Sequence, residues 1–314
     1  MDMFKGIKSK ALLIGTMAAS ILISGCGVEK DSDDRVMLVI DESITEVTSD
    51  GQESLLDIMA NGATYWQYDS DNNLLIASSS GTSVSVYDLE TGTKTRIGFP
   101  SIDGKHNQFE YEGQEIYAIN AWYEEGNVNI YAANPDDDTL IVFTFDRETE
   151  ELVNTAYYDI PSPFYVREAG NLIVYTTHQD LNIYDKTTGE DITVASGVAT
   201  VGSGFDLIVL NSDGSKVLFV KTEDDVSVLY EYDIPSGETR EVYRCSEGNF
   251  ISGFTYALDS NKIYLRYGKK FDAIVGYGCL PNHTMVITTD GRTYELHSSY
   301  IDGYDWNTTG IVIY

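Results

Sequence analysis

Tyr87-Asp88-Leu89-Glu90-Thr91-Gly92 has the chemistry of a tight hairpin turn, and close copies of it recur along the chain. They are Phe145-Asp146-Arg147-Glu148-Thr149-Glu150, Tyr184-Asp185-Lys186-Thr187-Thr188-Gly189 and Tyr232-Asp233-Ile234-Pro235-Ser236-Gly237. Shorter relatives stand at Thr289-Asp290-Gly291 and Ile40-Asp41-Glu42-Ser43. The aspartate side chain is placed to accept hydrogen bonds from the turn's own backbone, and glycine supplies the positive φ that such a turn requires. The aspartates fall at 41, 88, 146, 185, 233 and 290, so the unit recurs every 39 to 58 residues.

A second hairpin family interleaves with the first, at 69–76, 122–128, 168–174, 211–218, 258–263 and 306–312. Between the turns the chain is short segments rich in Val, Ile, Tyr, Thr and Phe with no sustained helical period, which read as strands. Two hairpins per unit make a four-stranded meander, and radial repetition of such meanders is a β-propeller. Each of the first five inner hairpins is followed by its own aromatic-Asp turn, which predicts five blades from contiguous chain. The last inner hairpin has no such turn after it, and the first aromatic-Asp turn has no inner hairpin before it. Each end is therefore expected to hold half a blade, closing a six-bladed all-β ring with N- and C-terminal strands. Seven blades would follow if 98–121 or 268–284 carried further strands, and a β-sandwich is the competing all-β arrangement. The stretch Asn-Ser-Asp-Gly-Ser-Lys-Val-Leu-Phe-Val at 211–220 resembles the blade turns of the TolB and WD40-like propeller families. That resemblance extends in plan over nearly all of the chain beyond residue 35 and implies the same fold.

The N-terminus reads as an address. Lys5, Lys8 and Lys10 precede fifteen uncharged residues, Ala11 to Gly25, and Cys26 follows at once. A spanning helix needs about 20 apolar residues, so this shorter core reads as a secretory signal. Leu22-Ile23-Ser24-Gly25-Cys26 resembles the bacterial lipobox. The resemblance implies that residues 1–25 are a signal peptide removed on export and that Cys26 becomes a lipidated N-terminus. Two acyl chains on it would anchor the protein stably to a membrane. Residues 26–34 then form a lipidated tether, and 35–314 the propeller domain, held outside the cytoplasm at a bacterial envelope.

The whole chain has 314 residues, with 20 Lys+Arg against 50 Asp+Glu and a net charge of −30. Nucleic acid is excluded as a partner, because neutralising phosphates needs a basic surface. A hydrophobic fraction of 42% also excludes a disordered acidic tail. An anionic bilayer should repel such a domain, which fits one that faces outward from its anchor.

Candidate chemistry is sparse. His106, His178 and His283 are expected on one face of the propeller, with His297 nearby, where they would suit a metal site or a general base. None of them shares ligand spacing with another. Asp136-Asp137-Asp138 and Glu223-Asp224-Asp225 are acidic loops on the same face; calcium is possible there, although neither has EF-hand spacing. No other cofactor is expected. Nucleophile elbows, phosphate-binding loops and HExxH are missing, and Gly202-Ser203-Gly204-Phe205 precedes a strand and reads as a loop. Cys245 and Cys279 are expected on one face and are a possible disulfide. Trp66, Trp122 and Trp306 fall in or beside inner strands and are expected to pack between blades.

These features favour a non-catalytic binding or scaffolding module for a protein, peptide or envelope glycan, besides its membrane anchor. The alternative is an enzyme with its site at the channel mouth, a polysaccharide lyase or a lactonase-like hydrolase. A third reading, in plan only, is an envelope-assembly factor like the propeller lipoprotein of the outer-membrane barrel machine.

Overall fold

The computed structural model describes residues 35–40, 43–48, 53–59, 65–69, 71–78, 81–124, 126–134, 139–161, 163–177, 180–198, 208–257, 261–272, 277–296 and 310–313. Side chains are described from residue 67 onward, apart from 270–282 and 310–313. Cys26, the tether, His178, His297, 136–138, 202–205 and Trp306 lie outside the described residues, and the side chain of Trp66 lies outside them too.

Three N-terminal strands come first: β1 (Arg35–Ile40), β2 (Ser43–Thr48) and β3 (Glu53–Met59). Five consecutive antiparallel sheets follow. The first holds β4 (Tyr65–Asp69), β5 (Leu74–Ser78), β6 (Ser83–Asp88) and β7 (Lys94–Gly98). The second has five strands: β8 (Gln108–Tyr111), β9 (Gln114–Glu124), β10 (Asn127–Ala133), β11 (Leu140–Asp146) and β12 (Leu152–Tyr158). The third is β13 (Tyr165–Ala169), β14 (Leu172–Thr176), β15 (Asp180–Asp185) and β16 (Asp191–Ser196). The fourth is β17 (Ile208–Leu210), β18 (Lys216–Glu223), β19 (Val226–Asp233) and β20 (Glu238–Arg244). The fifth is β21 (Asn249–Tyr256), β22 (Lys262–Asp272), β23 (Tyr277–Thr288) and β24 (Thr293–Leu296). A last strand, β25 (Gly310–Ile313), joins β1.

The blade count is corrected here. The expectation of six blades, or seven, with the last made half from each chain end, does not stand. The blades whose packing faces are described number five, of four or five strands each. The chain ends meet in a sheet ordered β25-β1-β2-β3, three strands from one end and one from the other, with Met37 opposite Val312. This terminal sheet, whose side chains lie outside the description, has β25 against β21 of the fifth blade and β4 of the first. Turn motifs mark hairpins, and they do not say how strands at a chain end are shared. For the same reason the two stretches held open for a seventh blade make none. In 98–121 the extra strand is β8, which pairs with the start of β9, and 268–284 lengthens β22 and β23 into one long hairpin.

The predicted turn chemistry is present atom by atom. Asp88 Oδ1 accepts the backbone N–H groups of Glu90 and Thr91, each at 2.9 Å, and the Gly92 N–H returns to the Asp88 carbonyl at 2.8 Å. Asp185 repeats the pattern, and Asp233 keeps the Ser236 N–H and the Gly237 return bond but lacks the other amide, because Pro235 has no N–H. In the copy at Asp146, Glu150 takes the left-handed position at φ 60° that Gly holds elsewhere. The residue after each aspartate then donates to the neighbouring inner turn: Leu89 to the Asn73 carbonyl, Arg147 to Gly126, Lys186 to Asn171 and Ile234 to Ser215, at 2.8–3.2 Å. The two hairpins of a blade are thereby locked together on one face.

Inner strands are sandwiched between neighbouring blades and buried on both sides, as in β5 and β10, whereas the outer β20 is largely exposed. Between the first and second blades the filling is aromatic: Phe99 stacks on Phe109 at 4.2 Å, and Phe143 meets Phe109 edge-on at 5.5 Å. Such pairs contribute about 0.5–1.5 kcal/mol each beyond their area. The same seam needs Gly98, at φ 128°, because a Cβ there would stand 2.5 Å from the Thr82 carbonyl oxygen.

Polar clasps align the blades. Asn120 on β9 donates Nδ2 to the Val166 carbonyl at 2.9 Å and accepts the Val166 N–H on Oδ1 at 3.1 Å. Gln67 on β4 does the same to Tyr123, at 2.7 and 3.2 Å. Further out, the buried Glu231 accepts Tyr256 Oη at 3.0 Å across the seam between fourth and fifth blades, and Arg240 Nε at 2.8 Å within its own. Burial pushes the Glu231 carboxyl up, but the Arg240 hydrogen bond and charge outweigh it and hold the group below its usual range.

Asn120→Ala strands both polar groups of Val166 in a fully buried seam. The expected loss is about 2–6 kcal/mol, read as a lower urea midpoint, at one to three kcal/mol, roughly, per unpaired group. Gln67→Ala, at a half-buried position, is expected to lose less.

Candidate functional site

The strands β4, β9, β13, β17 and β21, each opening the four-stranded meander of its blade, run in the same sense, so connections sort onto two faces. One carries the tight turns just described. The other collects the connections 79–82, 99–107, 134–139, 159–164, 177–179, 197–207, 224–225, 245–248 and 273–276, which range from two residues to eleven. Uniform, internally satisfied turns offer a ligand little; loops of unequal length on a rigid scaffold are where binding residues gather. The variable face is the candidate site.

Two hairpins stand out on it. In the second blade β8 pairs only with the first residues of β9, and this hairpin turns outward over the blade until Tyr111 meets Phe143 at 4.7 Å. Along β9, Ile116 and Ala118 are buried while Glu115 and Tyr117 face solvent. In the fifth blade β22 and β23 continue past the ends of both neighbours, with pairing from Lys270–Cys279 to Asp272–Tyr277. Three of the exposed large hydrophobic residues, Tyr117, Tyr157 and Phe164, also lie at this end of their strands.

The structure places the predicted site residues as follows. His106 is exposed in the connection before β8, where its carbonyl accepts Ser101 Oγ at 3.2 Å. His283, on β23, stacks on Tyr267 at 4.9 Å with Nδ1 3.6 Å from Glu295 Oε1. The two belong to different blades, and His178 falls outside the described residues. Among the described residues no three His, Cys, Asp or Glu side chains gather as a metal site. Cys245 is buried in the seam between fourth and fifth blades. Cys279 is on β23 opposite Lys270, and its side chain lies outside the description.

In the acidic loop 223–225, Glu223 is engaged rather than open. It accepts Tyr230 Oη at 2.7 Å and Arg244 Nη2 at 2.9 Å, and Arg244 also holds Glu241 at 2.7 Å. The Tyr230 hydrogen bond, with Arg244, holds the Glu223 carboxyl below its usual range. Burial, with Glu223 alongside, pushes the Tyr230 phenol up to about 12.

Sequence reasoning missed the polar groups of the inner strands. Arg167 is buried on β13 with its guanidinium carbon 3.2 Å from the Trp122 ring centroid and 4.5 Å from that of Tyr165. Trp122 thus packs at the seam between second and third blades, beneath a cation. The available signal was a polar residue inside an apolar strand, as in Ile119-Asn120-Ala121 and Val166-Arg167.

No protein-family model matches the chain, and no curated protein matches it by sequence. Solved structures do. A candidate 6-phosphogluconolactonase from Bacteroides fragilis superposes with a TM-score of 0.54 at 11% identity, over 91% of this chain and 100% of that one. TolB from Acinetobacter baumannii superposes with a TM-score of 0.51 at 14% identity, over 90% of this chain and 67% of that one. Hydrazine synthase of Kuenenia stuttgartiensis matches at 0.45 and 13% identity over 74% of this chain, which spans 65% of that chain's length. At such identities the likeness is one of fold, and the first two superpositions support the propeller.

Glu223→Gln keeps the side-chain shape and removes the charge. Because the folded carboxyl sits below the ordinary value of 4.5, its contribution is present above that value and fades as pH falls through the folded one. The stability gap between wild type and Glu223→Gln in urea is expected to be about 0.5–1 kcal/mol at neutral pH, as for exposed ion pairs, and to close in acid.

Proposed function

We propose that this chain is a lipid-anchored, extracytoplasmic propeller that binds a protein, peptide or envelope component on its variable face without catalysing a reaction. The observation that carries the reading is the partition of the two faces: variation in connection length lies on one, and the other is closed by capped turns. The lipobox-like stretch ending at Cys26 supports the anchor. His106 and His283 stand on separate blades, and among the described residues no three His, Cys, Asp or Glu side chains gather as a metal site.

Strand direction supports an orientation. β1, β2 and β3 alternate in direction and β3 leads at once into β4, so Arg35 lies at the tight-turn end of its sheet and Ile40 and Ser43 at the variable end, opposite to where the tight-turn reading of Ile40-Asp41-Glu42-Ser43 puts them. A tether of residues 27–34 would leave from the tight-turn face and reach at most about 28 Å when extended. The variable face would then point away from the anchoring membrane, as charge repulsion from anionic lipid also favours.

Cys26→Ser is expected to abolish incorporation of labelled palmitate and leave the uncleaved precursor. Labelling equal to wild type would refute the anchor. In cells making the full-length protein, a photocrosslinker on the variable face at Asp225 is expected to trap a partner, and one on the tight-turn face at Glu148 to trap none. The reverse pattern, or no adduct from either position, would count against the binding reading.

A further inference from the structure

Resting on the reading of the variable face as a binding surface, a strip across the second blade names the chemistry of what binds. It begins at the inner strands. Asn120 is tied to Val166, so Tyr117 and Phe164, three and two residues before them, come to the same end of neighbouring strands. Phe164 is fixed there by its N–H, which donates to the Thr176 carbonyl at 2.7 Å. From Tyr117 the hairpin of β8 and β9 runs outward to its tip at Glu112. Tyr157 on the outer β12 pairs with Ile141, two residues from the Phe143 ring that Tyr111 meets at 4.7 Å, which brings it alongside that hairpin. Tyr117, Phe164 and Tyr157 are 37%, 55% and 60% exposed, a large apolar outlay for a surface facing water.

Carboxylates line the same strip. Glu110 stands directly opposite Glu115 across the hairpin, and both are exposed, as is Glu112. Like charges opposite each other destabilise a strand pair unless a cation sits between them. Lys105 already meets that need for Glu115, with Nζ 2.6 and 2.7 Å from its two oxygens. The chain's own contacts also show cations settling on its aromatic faces, Lys94 over Tyr87 at 4.9 Å and Arg167 over Trp122 at 3.2 Å. Aromatic rings interleaved with carboxylates, on a chain of net charge −30, complement lysine or arginine side chains through ring faces and charge together.

We propose that this strip, from Tyr117 and Phe164 out to Glu112 and Tyr157, is a docking surface for a basic, lysine- or arginine-rich segment of a protein partner. The test uses the full-length protein in detergent micelles and a fluorescent synthetic peptide of alternating Lys and Gly. Anisotropy should show binding that the Nε-acetylated peptide lacks. The variant Tyr117→Ser/Tyr157→Ser/Phe164→Ser keeps the net charge and should weaken binding about fivefold or more, since each exposed cation–ring contact contributes a factor of about two to five. Tyr157→Ser alone, at the most exposed of the three rings, should weaken it about twofold and serves if the triple variant unfolds. Unchanged affinity in these variants would overturn the proposal, because attraction would then belong to overall charge. Equal binding of the acetylated peptide would overturn it as well. Should Asp225 crosslinking still trap a partner from the triple variant while peptide affinity is unchanged, the strip is refuted and the binding face stands. Should crosslinking trap nothing from wild type, the binding face fails on its own terms.

Discussion

Neighbouring blades share no backbone ladder, so something other than sheet hydrogen bonding must fix one blade against the next. At the inner seams that role falls to a side-chain amide that imitates a strand: Asn120 offers Val166 both a donor and an acceptor, and Gln67 does so for Tyr123. A pure apolar seam would hold blades together without fixing their height, because hydrophobic contact is non-directional. The clasp adds direction where burial makes an unpaired partner costly. The heights of Tyr117 and Phe164, and so the composition of the variable face, depend on it.

A second constraint is the shortage of cations. With 20 Lys and Arg against 50 Asp and Glu, the chain uses several of its cations for internal stitching. Lys216 and Arg240 flank the buried Glu231, Lys186 reaches Glu168, Arg244 bridges Glu223 and Glu241, and Lys105 holds Glu115. The pairs at Glu231 and Glu168 are buried or half-buried, whereas those of Arg244 and Lys105 lie at the surface. The carboxylates that remain on the surface give the domain its acidic field. A field of that sign repels anionic surfaces and draws cationic ones toward the molecule.

The two faces divide these duties. Capped turns at Asp88, Asp146, Asp185 and Asp233 satisfy their own backbone and tie inner to outer hairpin, so one face is closed chemistry. On the other face, chain that is not needed to close a turn is free to differ from blade to blade. The second blade uses it for the hairpin of β8 and β9, and the fifth for the extended β22 and β23.

The repeat, the strands and the turn chemistry were legible because they are local: an aspartate caps residues two and three places on, and alternation sets which positions are strand. The correction from six blades to five, with a three-plus-one terminal sheet, came from sharing of strands between distant ends, which no local pattern records. The histidines illustrate the same divide, since His106 and His283 were placed on one face by their loops, yet being on one face does not make side chains converge. Nothing in the sequence singled out Tyr117, Tyr157 and Phe164, whose exposure belongs to the tertiary structure. By itself the sequence determined the acidic field and the all-β repeat, since these depend on neighbours in the chain and on composition. The blade count, the clasps of Gln67 and Asn120 and the strip along the second blade were decided by tertiary structure, because each depends on residues tens of positions apart meeting across a seam.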